Sequence, residues 1–276
     1  MLSLQEKWRE LDRLNNAVLA INFYNFETLS SILKAAKRKQ LPVIIQATRK
    51  TIQYLGLDVT LGLAKSARKQ YEVDAWLHLD HATDLDLIRQ CIKGGFDSVM
   101  IDASEQPYRE NIETTEKVVE MAKPHRVNVE AELGYVAKMG QSREKIRFTQ
   151  PDEAKIFVEQ TGVDALAVAI GSAHGFYDKE PRLDLELLGQ IHDATPAALV
   201  LHGGSGIPPR QLKKAIKKGI RKINVATEIK NKFIGSLKSE LQHTDDIDLR
   251  NIFPEAIKEV QHLIEDKLDI VARENS

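Results

Sequence analysis

Ala198-Leu199-Val200-Leu201 runs without a break into His202-Gly203-Gly204-Ser205-Gly206-Ile207-Pro208-Pro209. A short apolar run ends on a histidine, turns through three glycines and meets proline where a helix would begin. The pattern is strand, chemically equipped turn, helix. Seven further runs fit it: Ala20-Ile21-Asn22-Phe23, Pro42-Val43-Ile44-Ile45-Gln46, Trp76-Leu77-His78-Leu79, Ser98-Val99-Met100-Ile101-Asp102, Val127-Asn128-Val129-Glu130-Ala131, Ala165-Leu166-Ala167-Val168-Ala169-Ile170 and Lys222-Ile223-Asn224-Val225-Ala226. Eight parallel strands with helices between them close a barrel. An open doubly wound sheet also alternates strands and helices, and periodicity does not separate the two.

The position of the polar groups does. In a barrel, reactive side chains collect at the C-terminal ends of several strands, while the opposite face serves stability. Here strand three runs into Asp80-His81, strand four into Asp102, strand five into Glu130 and Glu132, and strand six into Gly171-Ser172-Ala173-His174-Gly175. Strand seven ends on the glycine turn, and strand eight leads into Asn224 and Thr227. The expectation is an α/β protein, a (β/α)8 TIM barrel with additional C-terminal helices, residues 1–276 forming a single domain. Outer helices are predicted over 111–123 and 151–161, Thr149 and Asp152 suggesting an N-terminal cap for the second. After strand eight come a helix over 230–241, a polar break at His243-Thr244-Asp245-Asp246, and a last helix from Pro254 to Val271.

Composition bounds the function. At 276 residues, with 42% hydrophobic and 29% charged residues, the chain has the make-up of a globular protein with a sizeable core. A formal net charge of −1 supplies no long-range field for nucleic acid or an anionic membrane, so the expected partner is a small molecule. No apolar run approaches the roughly 18 residues that span a bilayer, and Met1 to Asn16 reads as an amphipathic helix rather than a signal peptide. The expected location is cytoplasmic. Cys91 stands alone inside an apparent helix, which points to buried packing and leaves any metal to histidine and carboxylate.

Three histidines, His81, His174 and His202, follow three separate strands, so closure of a barrel brings their imidazoles toward one point. One alone would read as a ring bonded to nearby backbone. Three at equivalent strand ends read as a metal site for zinc or a similar cation, with a coordination position left open as catalysis requires. The remaining histidines, at 78, 125, 192, 243 and 262, lie inside a strand or on helices and loops and read as structural. Asp80 adjoins the first ligand and suits general acid/base work on a substrate oxygen. Glycine-rich backbone before a helix cradles anions, and barrels often bind phosphate after strands seven and eight, so Gly203-Gly204-Ser205 reads as a phosphate turn. Asn224-Val225-Ala226-Thr227 adds an amide and a hydroxyl at the same corner, Thr227 also suiting the cap of the next helix.

At these residues the chain resembles the class II fructose- and tagatose-bisphosphate aldolases, the metal-dependent ketose-bisphosphate aldolase family. The likeness runs from Ala20-Ile21-Asn22 to Asp248-Leu249-Arg250. It is most specific in Leu77-His78-Leu79-Asp80-His81, Val129-Glu130-Ala131-Glu132-Leu133-Gly134, Ile170-Gly171-Ser172-Ala173-His174-Gly175, Leu201-His202-Gly203-Gly204-Ser205-Gly206 and Lys222-Ile223-Asn224-Val225-Ala226-Thr227. The resemblance implies a zinc ion on His81, His174 and His202, with Asp102 and Glu132 as ligands of an alternate metal position. It implies that Asp80 exchanges a proton with the C4 oxygen of a phosphorylated ketose. Asn22, Gly175, Gly203, Gly204, Ser205, Asn224, Val225, Ala226 and Thr227 then contact the substrate, a monovalent cation (Na+ or K+) lying near the phosphate. The implied reaction is reversible cleavage of fructose or tagatose 1,6-bisphosphate, or a related ketose 1-phosphate, to dihydroxyacetone phosphate and an aldehyde.

One segment departs from the family. After Glu-Leu-Gly, relatives continue with a glycine pair and an acidic pair, whereas this chain reads Tyr135-Val136-Ala137-Lys138-Met139-Gly140-Gln141-Ser142-Arg143-Glu144-Lys145. Glu144 is its only carboxylate and the candidate loop acid; the basic balance suits an anionic substrate tail. A Schiff-base aldolase is the first competing reading, its strand-associated lysine Lys222 being placed at the opposite rim of the barrel. A non-catalytic sugar-phosphate-binding relative with an altered loop is the second. The C-terminal helices suit a homodimer or homotetramer as in relatives, in which Arg250 either reaches a neighbour's phosphate or stays on the surface.

Overall fold

The computed structural model describes residues 2–136, 147–175, 177 and 179–272. In chain order the elements are α1 (Leu4–Arg13), β1 (Val18–Asn22), α2 (Phe26–Lys39), β2 (Val43–Thr48), α3 (Arg49–Leu55), α4 (Leu57–Tyr71), β3 (Ala75–Ala82), α5 (Leu85–Gly94), β4 (Ser98–Ile101) and α6 (Tyr108–Ala122). Next come β5 (Asn128–Leu133), α7 (Pro151–Thr161), β6 (Ala165–Val168), α8 (Leu185–Ala194), β7 (Ala198–Leu201), α9 (Pro209–Lys217), β8 (Ile220–Val225), α10 (Thr227–Glu240) and α11 (Leu249–Val271). The eight strands pair in sequence order, all parallel, and β8 returns to β1, so the sheet is a closed (β/α)8 TIM barrel. All eight strands expected from the sequence are present.

Strand alternation divides the apolar residues into two cores. Side chains facing out of the barrel, such as Leu19, Ile21, Val43, Ile45, Leu77, Leu79, Ile223 and Val225, pack under the helices. Those facing inward near the strand starts, Val18, Ala20, Ile44, Trp76, Ala165, Ala167, Ala198 and Val200, meet Leu4, Trp8 and Leu11 of α1. That helix therefore closes the N-terminal end of the barrel. Its start is fixed by a capping box, Ser3 Oγ accepting from Glu6 N while the Glu6 carboxylate accepts from Ser3 N. Trp76 Nε1 donates to Leu2 O at 2.9 Å and Arg221 pairs with Asp12 at 2.9 Å, which tie the plug to β3 and β8. Among the described residues, no helix is long and apolar enough to cross a membrane.

Four expectations are corrected. Thr149 does not cap α7; its hydroxyl donates to Leu133 O and accepts from Ala169 N at 2.9 Å, fastening the exit of β5 to that of β6. The last helix starts at Leu249, capped by Asp248, with Pro254 inside it in the second turn. Thr227 is the first residue of α10 rather than its cap. The donors there meet Ser205 Oγ instead, 3.3 Å from Ala226 N and 3.5 Å from Glu228 N. Lys222 is not at the opposite rim: β8 begins at Ile220, so Lys222 shares the inward face with Asn224 and is fully buried inside the barrel. Cys91 is buried in α5, as expected of a packing residue.

Candidate active site

The upper half of the barrel interior is polar, and its residues obey the same alternation. Asn22 ends β1, Gln46 lies on β2, His78 and Asp80 on β3, Glu130 and Glu132 on β5, and Lys222 and Asn224 on β8, all at most 7% exposed. Consecutive strand residues point to opposite faces, so Asp80 and His81 could not both face the mouth of a regular strand. β3 solves this with a bulge. Its register against β4 slips between Leu79 and Ala82, and His81 takes a left-handed φ of 48°, which turns both side chains toward one cavity. A non-glycine residue in that region is held at a cost of about 1–3 kcal/mol, a pattern that concentrates at functional sites.

His81, His174 and His202 converge. Their ring centroids lie 4.6–5.7 Å apart, and one ring nitrogen from each falls within 4.8 Å of the others. His81 Nδ1 lies 2.8 Å from Asp102 Oδ2, and His202 Nε2 lies 2.9 Å from Glu130 Oε1. The opposite nitrogens, His81 Nε2 and His202 Nδ1, are buried with no hydrogen-bond partner among the described residues. Glu132 Oε2 is also unpartnered, 3.3 Å from His202 Nδ1 with no hydrogen bond between them. Buried nitrogen and oxygen atoms left without partners are costly, and a divalent cation among them removes that cost. The donor set therefore fits a zinc-like ion. His81, Asp102 and Glu132 form a second group of the same compactness.

The electrostatics agree with a site built for positive charge. Burial disfavours a charged His202, but the carboxylates of Glu130 and Glu132 beside it outweigh that and push it up to about 10. Burial, reinforced by His81 and His202, pushes His174 down to about 3. Asp80 lies below the usual carboxylate range: burial opposes this, yet the neighbouring His81 and His202 prevail. Its carboxylate accepts from Asn22 Nδ2 at 2.8 Å and Asn224 Nδ2 at 3.4 Å, and Asn22 Oδ1 accepts from Gln46 Nε2 at 3.0 Å. Asp80 is thus held as an ion with a fixed direction.

A cavity of about 770 Å³ opens above these groups. Asn22, Asp80, His81, His174 and Gly175 form its floor; Ala226 and Thr227 give one wall, and Arg49, Lys50 and Lys230 bring cations to it. The Gly203-Gly204-Ser205 turn stands behind that wall. Gly203 has a φ of 66° and a Cβ there would strike the backbone of Ala173, while a Cβ on Gly204 would come within 2.7 Å of Asn224 O. Gly204 N donates to Asn224 O at 2.9 Å. Tyr177 accepts from Ala173 N and donates to Gly203 O, both at 2.9 Å, and so pins the His174 loop to the His202 turn. Val225 belongs to the outer core, so only its backbone is available to a ligand.

Sequence reading brings most of this cluster together but leaves some members out. Gln46 is the one polar residue in the run Val43-Ile44-Ile45-Gln46, which signals an inward polar position. Arg49, Lys50, Tyr24 and Lys230 lie beyond strand ends, where no periodicity marks them. Arg250 is 88% exposed in its side chain within the single chain and pairs with Asp248 at 2.7 Å. Glu144 lies outside the described residues.

A sequence model of the family described as fructose-bisphosphate aldolase class-II matches residues 3–276. Among solved structures, the chain is similar to the YdjI aldolase of Escherichia coli, with 30% identity, TM-score 0.87, and 100% of this chain and 99% of that one covered. A putative fructose-1,6-bisphosphate aldolase of Coccidioides immitis is 28% identical, with TM-score 0.88 and coverage of 98% and 96%. A fructose-bisphosphate aldolase of Campylobacter jejuni shares the fold at 24% identity, with TM-score 0.80 and coverage of 97% and 93%. With a match over nearly its whole length and a barrel mouth built around three converging histidines, the chain belongs to the class-II fructose-bisphosphate aldolase family.

Proposed function

We propose that this aldolase depends on zinc held by His81, His174 and His202, and that it reversibly cleaves a phosphorylated ketose to dihydroxyacetone phosphate and an aldehyde. The observation that carries the reading is the meeting of three imidazoles, two of which, His81 and His202, turn a buried nitrogen without a partner among the described residues toward the group, beside an ionised Asp80 on the cavity floor. When bound, zinc supplies Lewis-acid polarisation of the substrate ketone.

The chain's own groups supply the rest. Asp80, fixed by Asn22 and Asn224, takes the proton from the C4 hydroxyl as the C3–C4 bond breaks and returns it in the condensation direction; the electron pair left on C3 takes up a proton from an acid, the role proposed for Glu144, which lies outside the described residues. The wall at Ala226 and Thr227 opens α10, whose N-terminal dipole favours a phosphate, and Lys230 at the end of its first turn adds a full charge. Gly203 and Gly204 let the β7 turn pack directly on β8 behind this anion corner. Arg49 and Lys50 face the remainder of the cavity and suit an anionic group on the distal part of the substrate.

The test is a panel of ketose phosphates assayed with added zinc. Cleavage should be abolished by chelation and restored by zinc, and borohydride should trap no protein-bound substrate, since Lys222 is buried and paired with Glu130 at 2.6 Å. Full activity in metal-free protein would remove the reading.

A further inference from the structure

Beneath the three histidines lies a sealed polar layer formed by His78, Ser98, Asn128, Glu130 and Lys222, each at most 1% exposed. The proposed cleavage reaction uses none of them. Counting donors fixes where their protons are. An ammonium only donates, so Lys222 Nζ, 3.2 Å from His78 Nε2, must meet a lone pair there. His78 then carries its proton on Nδ1 and donates to Ser98 Oγ at 2.8 Å, and Ser98 donates to Asn128 Oδ1 at 3.2 Å. Lys222 also donates to Glu130 Oε2 at 2.6 Å. The remaining oxygen of that carboxylate can only accept, so His202 Nε2, 2.9 Å from Oε1, bears a proton. The one nitrogen of His202 left for a ligand is Nδ1, on the side of His81 and His174.

We infer that Glu130, braced by Lys222, is a positioning residue that holds His202 in its Nε2-protonated form and so dedicates Nδ1 to the metal ion. This rests on the proposed zinc site. A carboxylate behind a histidine ligand fixes ring orientation and tautomer. The buried lysine adds direction: it allows only an acceptor to face it, so the group between Lys222 and His202 must offer an oxygen to both. A carboxylate does this, and an amide cannot.

That asymmetry gives a test whose sign a merely structural role would not produce. In Glu130→Gln the amide must turn its oxygen to Lys222 and its NH2 to His202, whose Nε2 must then accept and whose proton moves to Nδ1. Zinc affinity, read by competition with a chromophoric chelator, should fall about 10–100-fold. Adding Lys222→Met removes the constraint, lets the amide turn its oxygen to His202, and should recover most of that loss. Two independent core lesions would instead add. Unchanged affinity in Glu130→Gln, or a double variant no better than the single, would overturn the inference.

A second measurement needs no variant. Long-range nitrogen-15 correlation spectra of histidine-labelled, zinc-loaded wild-type protein should show His202 protonated at Nε2 and bound to metal through Nδ1. A proton on Nδ1 would overturn the inference whether or not the single variant folds. Wild-type protein that takes up no zinc would overturn the metal reading itself, whereas normal wild-type affinity with unaltered variants would remove only the role given to Glu130.

Discussion

The two ends of one barrel solve opposite problems with the same strands. At the N-terminal end the inward positions are Val18, Ala20, Ile44, Trp76, Ala165, Ala167, Ala198 and Val200, sealed by Leu4, Trp8 and Leu11. Two or four residues further along the same faces stand Asn22, Gln46, His78, Asp80, His202 and other groups that are expensive to bury without partners. The apolar end gains stability from area removed from water, and the polar end is tolerated because each group is directed at another. The difference shows how strand alternation lets stability and chemistry be tuned apart within about 7–13 Å of chain, two to four residues of strand.

The comparison breaks if a change at one end moves the property of the other. The largest expected effect is at the mouth: Asp80→Asn should lower kcat about 100–10,000-fold while zinc content and thermal midpoint stay near wild type. Steady-state kinetics with metal analysis and a melting curve measure both sides. A large loss of stability with little loss of rate would make Asp80 a packing residue. Next comes the plug. Trp8→Ala empties the centre of the lower core and should cost about 3–5 kcal/mol in denaturant unfolding, with KM and zinc affinity unchanged.

Legibility divides along the same line. The eight strands and the three histidines are readable because both depend on short apolar runs and on the residues at their C-terminal ends. Lys222 falls at the wrong rim when strand eight is started two residues late; with Ile220 as its first residue, the parity that turns Asn224 inward turns Lys222 inward too. Asp80 and His81 both read as site residues although alternation separates neighbours, and only the bulge with its left-handed His81 reconciles them. Thr149 is the right residue type for a cap, but a tertiary partner, the Leu133 carbonyl, claims its hydroxyl. Arg49, Lys50 and Lys230 sit in first turns of helices whose aim depends on barrel geometry, which no local pattern encodes.

A smaller effect sharpens the comparison through pH. His78 is pushed down to about 3 by burial and by Lys222, and His174 to about 3 by burial and its histidine neighbours. Both lie below the unfolded value of about 6.5, so the stability they contribute is complete above that pH and is lost as pH falls toward their folded values. His81 and His202 are raised and have the opposite sign, but below pH of about 6 they are mostly protonated in both states and contribute only a small opposing slope. Chelator-treated protein should therefore unfold at lower denaturant concentration at pH 5 than at pH 6, and a flat profile would deny that the polar layer is buried as described. The smallest change expected is Ser205→Ala, which removes the oxygen that receives the first N–H groups of α10 and should cost about 1 kcal/mol of stability. A several-fold rise in KM alongside would show that the same turn also meets substrate.

The central claim is that His81, His174 and His202 together bind the ion on which carbon–carbon cleavage depends. Anomalous scattering at the zinc edge from crystals of active, zinc-loaded protein tests it most directly. A single strong peak within bonding distance of all three imidazoles, with His202 engaged through Nδ1, is the predicted result. An empty map at that point, from protein that still cleaves its ketose phosphate at full rate, would contradict it.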